Sequence, residues 1–233
     1  MISVLAALAV CALIAPAIVH ALGTRGFYVL ALAPLGGLIW VFLNWPHAHE
    51  APRVETVTWA PTLQMDFVMR FDTLTAIMSV LILGVGALVL CYCANYFDDA
   101  RPRVAIFGGE MIAFAAAMFG LVASDNMLML YVFWEITSLL SFLLIGHRIT
   151  SRHSRSAAME ALIITASGGL AMLVGIVGLG QATGSYSISA LMAHPPEAGP
   201  LVTASVVLLL VGAITKSAMV PFHFWLPGAM AAP

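Results

Sequence analysis

Long apolar runs separated by short polar stretches dominate the sequence. A transmembrane helix needs about 20 predominantly apolar residues, and the sequence contains a series of runs close to that length. They cover residues 2–22, 27–45, 73–96, 104–123, 127–146, 157–180 and 201–220. The pattern predicts an all-α integral membrane protein, a polytopic bundle of about seven transmembrane helices.

The longest polar stretch, residues 46–72, has a different period. Apolar side chains occupy alternate positions from Leu63 to Phe71, and a period of two indicates a strand. Residues 54–59 offer a partner strand across a turn at Pro61, so we expect a small β-hairpin outside the membrane. Further along, apolar residues at helical spacing in 188–192 predict a short interfacial helix.

Composition agrees with a membrane protein. Hydrophobic residues make up 62% of the chain and charged residues 9%, whereas soluble domains contain about 25% charged residues. The net charge of −2 is not informative about nucleic acid, but no basic run suggests such a partner, so we predict none. Cys11, Cys91 and Cys93 all lie in apolar spans, so we interpret them as core residues. A cluster at 47–50 (His-Ala-His-Glu) lacks further ligands, so we predict no metal site and no cofactor.

The arginines predict the orientation in the membrane. The first span lacks the positive start and the cleavage site of a signal peptide, so we count it as a transmembrane helix. Positive residues favour cytoplasmic loops, and the arginines divide unequally between the two sides. One side has Arg25, Arg101, Arg103, Arg148, Arg152 and Arg155, and the other has Arg53 and Arg70. The N-terminus is therefore expected outside, and the loop 148–155 in the cytoplasm.

One charge lies inside the seventh span. Lys216 is the only lysine of the chain, and a charge at the bilayer centre costs about 2.5–3.5 kcal/mol on insertion scales. It should therefore face the bundle interior. Pro221 cannot donate a hydrogen bond to the carbonyl of Ser217. We expect the helix to be interrupted there and to continue as a half-helix through residues 223–230, an arrangement typical of ion sites in transporters.

The fifth span carries the complementary charge. Glu135 is near its middle, and Thr137, Ser138 and Ser141 fall with it in an arc of about 160°. Hydroxyl groups commonly pack helices together in membranes, which alone explains the serines and the threonine. That explanation does not cover the carboxylate, which needs a partner at this depth.

Glu135 and Lys216 are therefore expected to contact each other. A carboxylate favours a charged lysine whereas burial favours a neutral one, so a small movement would change the affinity of the lysine for its proton. Such a pair can pass protons on, and His223 beside the helix break could be the next relay because histidine titrates near neutrality. The alternative is a structural ion pair, with His223 as a packing residue.

Two segments resemble a known family. YVFWEITSLLSFLLIGH (131–147) and GAITKSAMVPFHFWLPGAMAAP (212–233) are similar to the two signature segments of the antiporter-like subunits shared by Mrp-type multisubunit Na⁺/H⁺ antiporters and respiratory complex I. The residues of these segments are most similar to those of the large A-type subunit of Mrp antiporters. The resemblance implies that Glu135 and Lys216 form the first proton-transfer pair, with His223 at a position where Mrp members carry histidine. Gly228 stands where the family usually has an aspartate.

The resemblance also implies a larger module. Such modules have about fourteen helices, built as inverted repeats, and the chain would supply the first part. We expect residues 1–103 to form the N-terminal helices with the hairpin loop, and residues 104–233 the proton-translocating helices of an incomplete first repeat. The rest would belong to a longer subunit or to another chain.

Three functions follow from these observations. The leading hypothesis is a membrane subunit of a cation/proton antiporter, with Na⁺ and H⁺ as substrates and no enzymatic activity. It would assemble with other membrane subunits of an Mrp-type complex, as a multi-pass protein in a bacterial inner membrane. The first alternative is a proton-pumping subunit of a complex I-like dehydrogenase or a membrane hydrogenase. The second is a structural membrane subunit.

Overall fold

The structure is a computed structural model that describes residues 1–50, 52–98, 102–230 and 232. Arg101 lies outside the described residues, and only the backbone is described for His47, His49 and Glu50. The described chain is mostly helical and divides into two compact units. One comprises residues 1–55 and 69–123, and the other residues 56–68 and 124–233. The division at residue 103 that we expect from the sequence separates the N-terminal helices from the proton-translocating helices by their expected role. It stays a prediction.

The first unit contains four long helices. They are α1 (Ile2–Leu22), α2 (Gly26–Glu50), α3 (Thr73–Tyr96) and α4 (Pro102–Ala123). Helix α1 packs against α4 and α2, and α2 packs against α3. Asp72 begins α3 as its N-cap, accepting a hydrogen bond of 2.9 Å from the backbone N–H of Thr75. Such a cap satisfies a backbone donor that the first helical turn leaves free.

The predicted hairpin is present. Strand β1 (Arg53–Ala60) pairs with β2 (Met65–Phe71), and a 3₁₀ turn at Pro61–Leu63 connects them. Gln64 takes the left-handed conformation with φ of 53°, which lets the chain reverse direction. The alternation of apolar and polar positions therefore predicted both the strand and its partner.

The second unit contains three long helices and two short ones. They are α5 (Met127–Ile145), α6 (Arg152–Thr183), α7 (Ile188–Ala193), α8 (Pro200–Lys216) and α9 (Trp225–Ala229). Helix α6 packs against α5, α8 and α9. It approaches α8 very closely, because a Cβ atom on Gly175 would lie 2.5 Å from the carbonyl oxygen of Ser205. Small residues allow this kind of approach between membrane helices.

Two polar residues at the start of α5 tie the neighbouring loops together. Asn126 caps α5 by accepting hydrogen bonds from the backbone of Leu128 and Met129, and its amide donates to the carbonyl of Gln64 at 2.8 Å. The buried Asp125 accepts hydrogen bonds from the backbone N–H of Ser189 at 3.0 Å and from its hydroxyl at 2.6 Å. The start of α7 is thereby fixed beside the start of α5.

The described helices confirm the polytopic architecture. Five stretches are long and apolar enough to cross a membrane, and the first of these, Ile2–Pro46, contains α1 and most of α2. Helix α8 is a shorter apolar helix. The six helices of the five stretches, with α8, give the seven spans that the hydrophobic pattern predicts. The seventh is shorter than expected, because its regular helix ends at Lys216 and not at residue 220.

Candidate functional site

The end of α8 places Lys216 beside an interruption of the chain. Ala218 adopts a left-handed conformation with φ of 51°. The backbone N–H of Met219 donates to the carbonyl of Ile214 at 3.1 Å, and that of Ala218 donates to the carbonyl of Thr215 at 3.3 Å. These two bonds form a Schellman motif, which ends helices by satisfying their last carbonyl groups. The expected interruption of the seventh span is therefore confirmed.

The position of the interruption differs from our expectation in one respect. The helix ends before it reaches Pro221, which lies in the nonhelical segment between α8 and α9. Prolines are common shortly after such a helix end because they cannot continue the helix. Beyond this segment, the indole of Trp225 donates to the carbonyl of Thr215 at 3.0 Å. That bond ties α9 back to the last turn of α8.

The ammonium group of Lys216 is bound by three neutral oxygen atoms of α5. Its Nζ donates to Thr137 Oγ1 at 2.6 Å, to Ser138 Oγ at 2.8 Å and to the backbone carbonyl of Trp134 at 3.1 Å. A lysine ammonium has three donors, so all three are satisfied. The Trp134 ring centroid lies 5.0 Å from Nζ, within reach of a cation–π attraction. We call Thr137, Ser138 and the Trp134 carbonyl the lysine cradle.

The cradle is internally organised. Thr137 Oγ1 and Ser138 Oγ both donate to the carbonyl of Trp134, at 2.7 Å and 3.2 Å. Each hydroxyl thus uses its single hydrogen within α5 and leaves its lone pairs for the lysine. Both side chains are buried, at 0% and 2% exposure. Two of the three hydroxyls on the arc of Glu135, those of Thr137 and Ser138, therefore bind the lysine directly and do more than pack α5 against its neighbours.

Glu135 and Lys216 form no direct salt bridge within 4.0 Å in the described part of the chain, so the direct form of the contact that we expected is absent. Ion pairs of this length within the described ranges include those of Glu55 with the N-terminus and with Arg53, and that of Arg70 with Asp72. The physical reason why the direct Glu135–Lys216 contact is absent is that the three oxygen atoms of the cradle already satisfy all three lysine donors.

The carboxylate of Glu135 points toward α6. A Cβ atom on Gly169 would lie 2.0 Å from Oε1 of Glu135, so the carboxylate occupies space that a side chain would need. Oε1 is buried and has no hydrogen-bond partner among the described residues, and the same holds for Nε1 of Trp134. The site thus combines a fully bound ammonium with a nearby carboxylate whose hydrogen bonding is incomplete.

His223 is not brought to this site. It lies in the nonhelical segment after α8, and its side chain is exposed. The ring contacts Phe224 edge-on, at 6.4 Å between centroids, and no hydrogen bond of the ring occurs within the described ranges. Its role as the next proton relay stays a prediction.

Two family models match parts of the chain. The model described as "NADH:quinone oxidoreductase/Mrp antiporter, TM" matches residues 124–233, which include the whole candidate site. The model described as "NADH-Ubiquinone oxidoreductase (complex I), chain 5 N-terminus" matches residues 58–107.

Similar proteins include antiporter subunits. The chain is 45% identical over 179 residues to a probable K⁺/H⁺ antiporter subunit (type A/B) of Rhizobium meliloti (strain 1021), with 76% of this chain and 18% of that protein covered. It is 41% identical over 182 residues to a Na⁺/H⁺ antiporter subunit (type A1) of Staphylococcus haemolyticus (strain JCSC1435), with 77% of this chain and 22% of that protein covered. The chain thus spans less than a quarter of the length of these relatives.

Solved structures show the same fold. A chain of the Mrp complex from Dietzia sp. DQ12-45-1b has a TM-score of 0.86 and 30% identity, covering 99% of this chain and 25% of that chain. A chain of the archaeal membrane-bound sulfane sulfur reductase has a TM-score of 0.85 at 19% identity, covering 99% of this chain and 47% of that chain. The second likeness shows the fold alone. The chain is similar to the antiporter-like membrane subunits shared by Mrp antiporters and complex I, and among them to the N-terminal part of the large A-type subunit of Mrp antiporters.

Proposed function

We propose that this chain is part of a membrane subunit of a cation/proton antiporter and carries a proton-transfer pair, Lys216 and Glu135. The observation that supports the proposal is the lysine cradle: an ammonium inside an apolar helix is bound by neutral oxygens, next to a carboxylate that is left without a hydrogen-bond partner at Oε1. Intramembrane ionisable residues generally mark ion or proton paths.

The proposed step moves one proton between the two side chains. When the ammonium of Lys216 gives a proton to a carboxylate oxygen of Glu135, an amine and a carboxylic acid replace two charges, and the net charge of the site does not change. Neutral groups are cheaper to hold in an apolar medium than separated charges. The lysine side chain has a flexible four-carbon stem, and in the proposed step its Nζ moves from the cradle to the carboxylate.

His223 is proposed as the next relay on the way out of the pair. It follows the helix interruption that contains Pro221, where the backbone is nonhelical and the histidine side chain is exposed. Histidine can accept and release a proton near neutral pH. In this arrangement Lys216, Glu135 and His223 move protons, and the interruption near Pro221 carries the histidine.

We further propose that the transported cation is Na⁺ or K⁺, because the similar proteins are described as Na⁺/H⁺ and K⁺/H⁺ antiporter subunits. In that role the protein is a subunit of a secondary transporter and not an enzyme. It assembles with other membrane subunits, since the structural likeness is to a chain of the Mrp complex, and it lies in the bacterial inner membrane.

A second candidate function is proton pumping in a complex I-like enzyme. The matching family model is shared by NADH:quinone oxidoreductase and the Mrp antiporter, and the proton-transfer pair would serve both. The two functions differ in what drives the protons. An antiporter moves them when a Na⁺ or K⁺ gradient is applied, whereas a pump needs a redox substrate.

The experiment that tests the proposal is antiport in everted membrane vesicles, with assembly of the complex measured separately. Glu135→Gln keeps the size of the side chain but cannot accept the proton, so we expect assembly to be normal and proton movement after addition of Na⁺ or K⁺ to be lost. Glu160 is an exposed carboxylate on α6, and Glu160→Gln is the matched control with normal transport. Full antiport by an assembled Glu135→Gln complex would rule out the pair as the proton path.

A further inference from the structure

Two adjacent glycines of α6 lie opposite the two halves of the proton-transfer pair. Gly169 faces the carboxylate: a Cβ atom there would lie 2.0 Å from Oε1, 3.1 Å from Cδ and 3.6 Å from Oε2 of Glu135. Non-bonded carbon atoms rest about 3.5–4.0 Å apart. The Glu135 carboxylate can take its observed position only because residue 169 has no side chain.

Gly168 faces the turn of α8 that carries the lysine. A Cβ atom on Gly168 would lie 1.8 Å from Oγ1 and 2.7 Å from Cβ of Thr215, the residue before Lys216. Thr215 is 1% exposed, and its hydroxyl donates to the carbonyl of Gly212 at 2.7 Å. Gly168 and Gly169 thus determine how closely α6 approaches the Glu135 carboxylate and the turn of α8 that carries Lys216.

The contact at Gly169 is unlike an ordinary close approach of two helices. At Gly175 on the same helix, the atom nearest to an added Cβ is the backbone oxygen of Ser205, so that glycine serves helix packing. At Gly169 all three nearest atoms belong to one carboxylate side chain. The Oε1 atom there is buried and has no hydrogen-bond partner within the described chain, so sterics and not hydrogen bonding restrict its position.

We propose that Gly169, supported by Gly168, is a positioning residue for proton transfer. Because it has no side chain, the Glu135 carboxylate can occupy the position beside Lys216 that the transfer requires. This inference rests on the proposed function. Gly169 itself touches no proton. It acts through the carboxylate, and a side chain at this position displaces the carboxylate from its place beside the lysine.

Gly169→Ala is the direct test. Gly169 lies in the interior of α6 and has an ordinary helical backbone, so alanine is compatible with the helix itself. The added methyl group displaces the Glu135 carboxylate, and a misplacement of about 1 Å is enough to reduce a transfer rate by one to two orders of magnitude. We expect an assembled complex with antiport reduced at least tenfold. Gly84→Ala is the matched control, because a Cβ atom on Gly84 has no neighbour within 4 Å, and its antiport should be unchanged.

A compensating substitution separates positioning from general packing. Glu135→Asp withdraws the carboxylate by one C–C bond, about 1.5 Å, which makes room for the new methyl group. Gly169→Ala should therefore lower antiport much less in the Glu135→Asp background than in the protein that has Glu135. The melting temperatures of the same proteins give a second readout: the drop caused by Gly169→Ala should be smaller when residue 135 is shortened.

Each outcome decides one question. Normal antiport by Gly169→Ala, together with an inactive Glu135→Gln, would overturn the positioning role and leave the proposed function standing. Normal antiport by Glu135→Gln would instead overturn the proposed function. If Gly169→Ala lowers antiport and melting temperature, or prevents assembly, to the same extent in the Glu135→Asp background as with Glu135, Gly169 serves helix packing and the inference is wrong.

Discussion

Thr137→Val changes the shortest contact of the lysine cradle. Valine has nearly the shape of threonine but has no hydroxyl, so the substitution removes the acceptor that lies 2.6 Å from Lys216 Nζ and keeps the packing of a side chain that is 0% exposed. One N–H of the ammonium then has no partner in the cradle. The cradle retains Ser138 and the Trp134 carbonyl as acceptors.

The size of the effect follows from the charge on the donor. A hydrogen bond to a charged group contributes about 1.5–3 kcal/mol, and about 1.4 kcal/mol corresponds to a factor of ten. Thr137→Val should therefore reduce the population of cradle-bound, charged Lys216 by roughly 10- to 100-fold relative to Lys216 that has left the cradle or given up its proton. If that state is part of the transport cycle, antiport falls by about tenfold or more.

The assay is initial antiport rate in everted vesicles at equal amounts of assembled complex. Thr137→Ser keeps the hydroxyl and should retain most of the rate. Ser141→Ala is the matched control, because Ser141 lies one turn further along α5 and its hydroxyl donates to the carbonyl of Thr137, not to the lysine. Equal rates for Thr137→Val and the unchanged protein, or an equally large loss in Ser141→Ala, would refute the cradle as a functional element.

Two further predictions concern the fold. In a cysteine-free background, a reagent added outside intact cells should label Thr62→Cys in the hairpin turn and not His153→Cys at the start of α6, both of which are exposed; the opposite labelling would reverse the orientation predicted from the arginines. Ala218→Gly should stabilise the complex by about 0.5–1 kcal/mol, because left-handed backbone costs alanine more than glycine; a lower melting temperature for Ala218→Gly would contradict the Schellman end of α8.

The sequence predicted the transmembrane helices well because their signal is long. Each apolar run averages the hydrophobic effect over about 20 residues, so α1 and α3 begin and end where the pattern predicts. The hairpin was equally clear, since a period of two cannot be accommodated by a helix. The contact between α5 and α8 followed from a single physical requirement: a charge in an apolar helix needs partners.

Details of the site could not be predicted because they depend on distances smaller than a helical turn. The Lys216 ammonium could bind either the Glu135 carboxylate or the cradle, and these lie within one turn of each other on α5. Residue types alone do not show which of the two it binds. The end of α8 at Lys216 has no sequence signal, because Ala218 occupies a position where glycine is usual. Gly169 carries no chemistry of its own, and only the contact with Glu135 reveals its importance.

The central claim is that Lys216 gives up and takes back a proton, and Lys216→Arg tests it most directly. Arginine keeps the positive charge and can donate to the cradle, but it does not release its proton in proteins. The measurement is Na⁺- or K⁺-driven proton movement in everted vesicles, with assembly verified on the purified complex. Our account predicts a well-assembled complex without antiport, whereas near-normal antiport by that complex would contradict the relay and support a purely structural role for the charge.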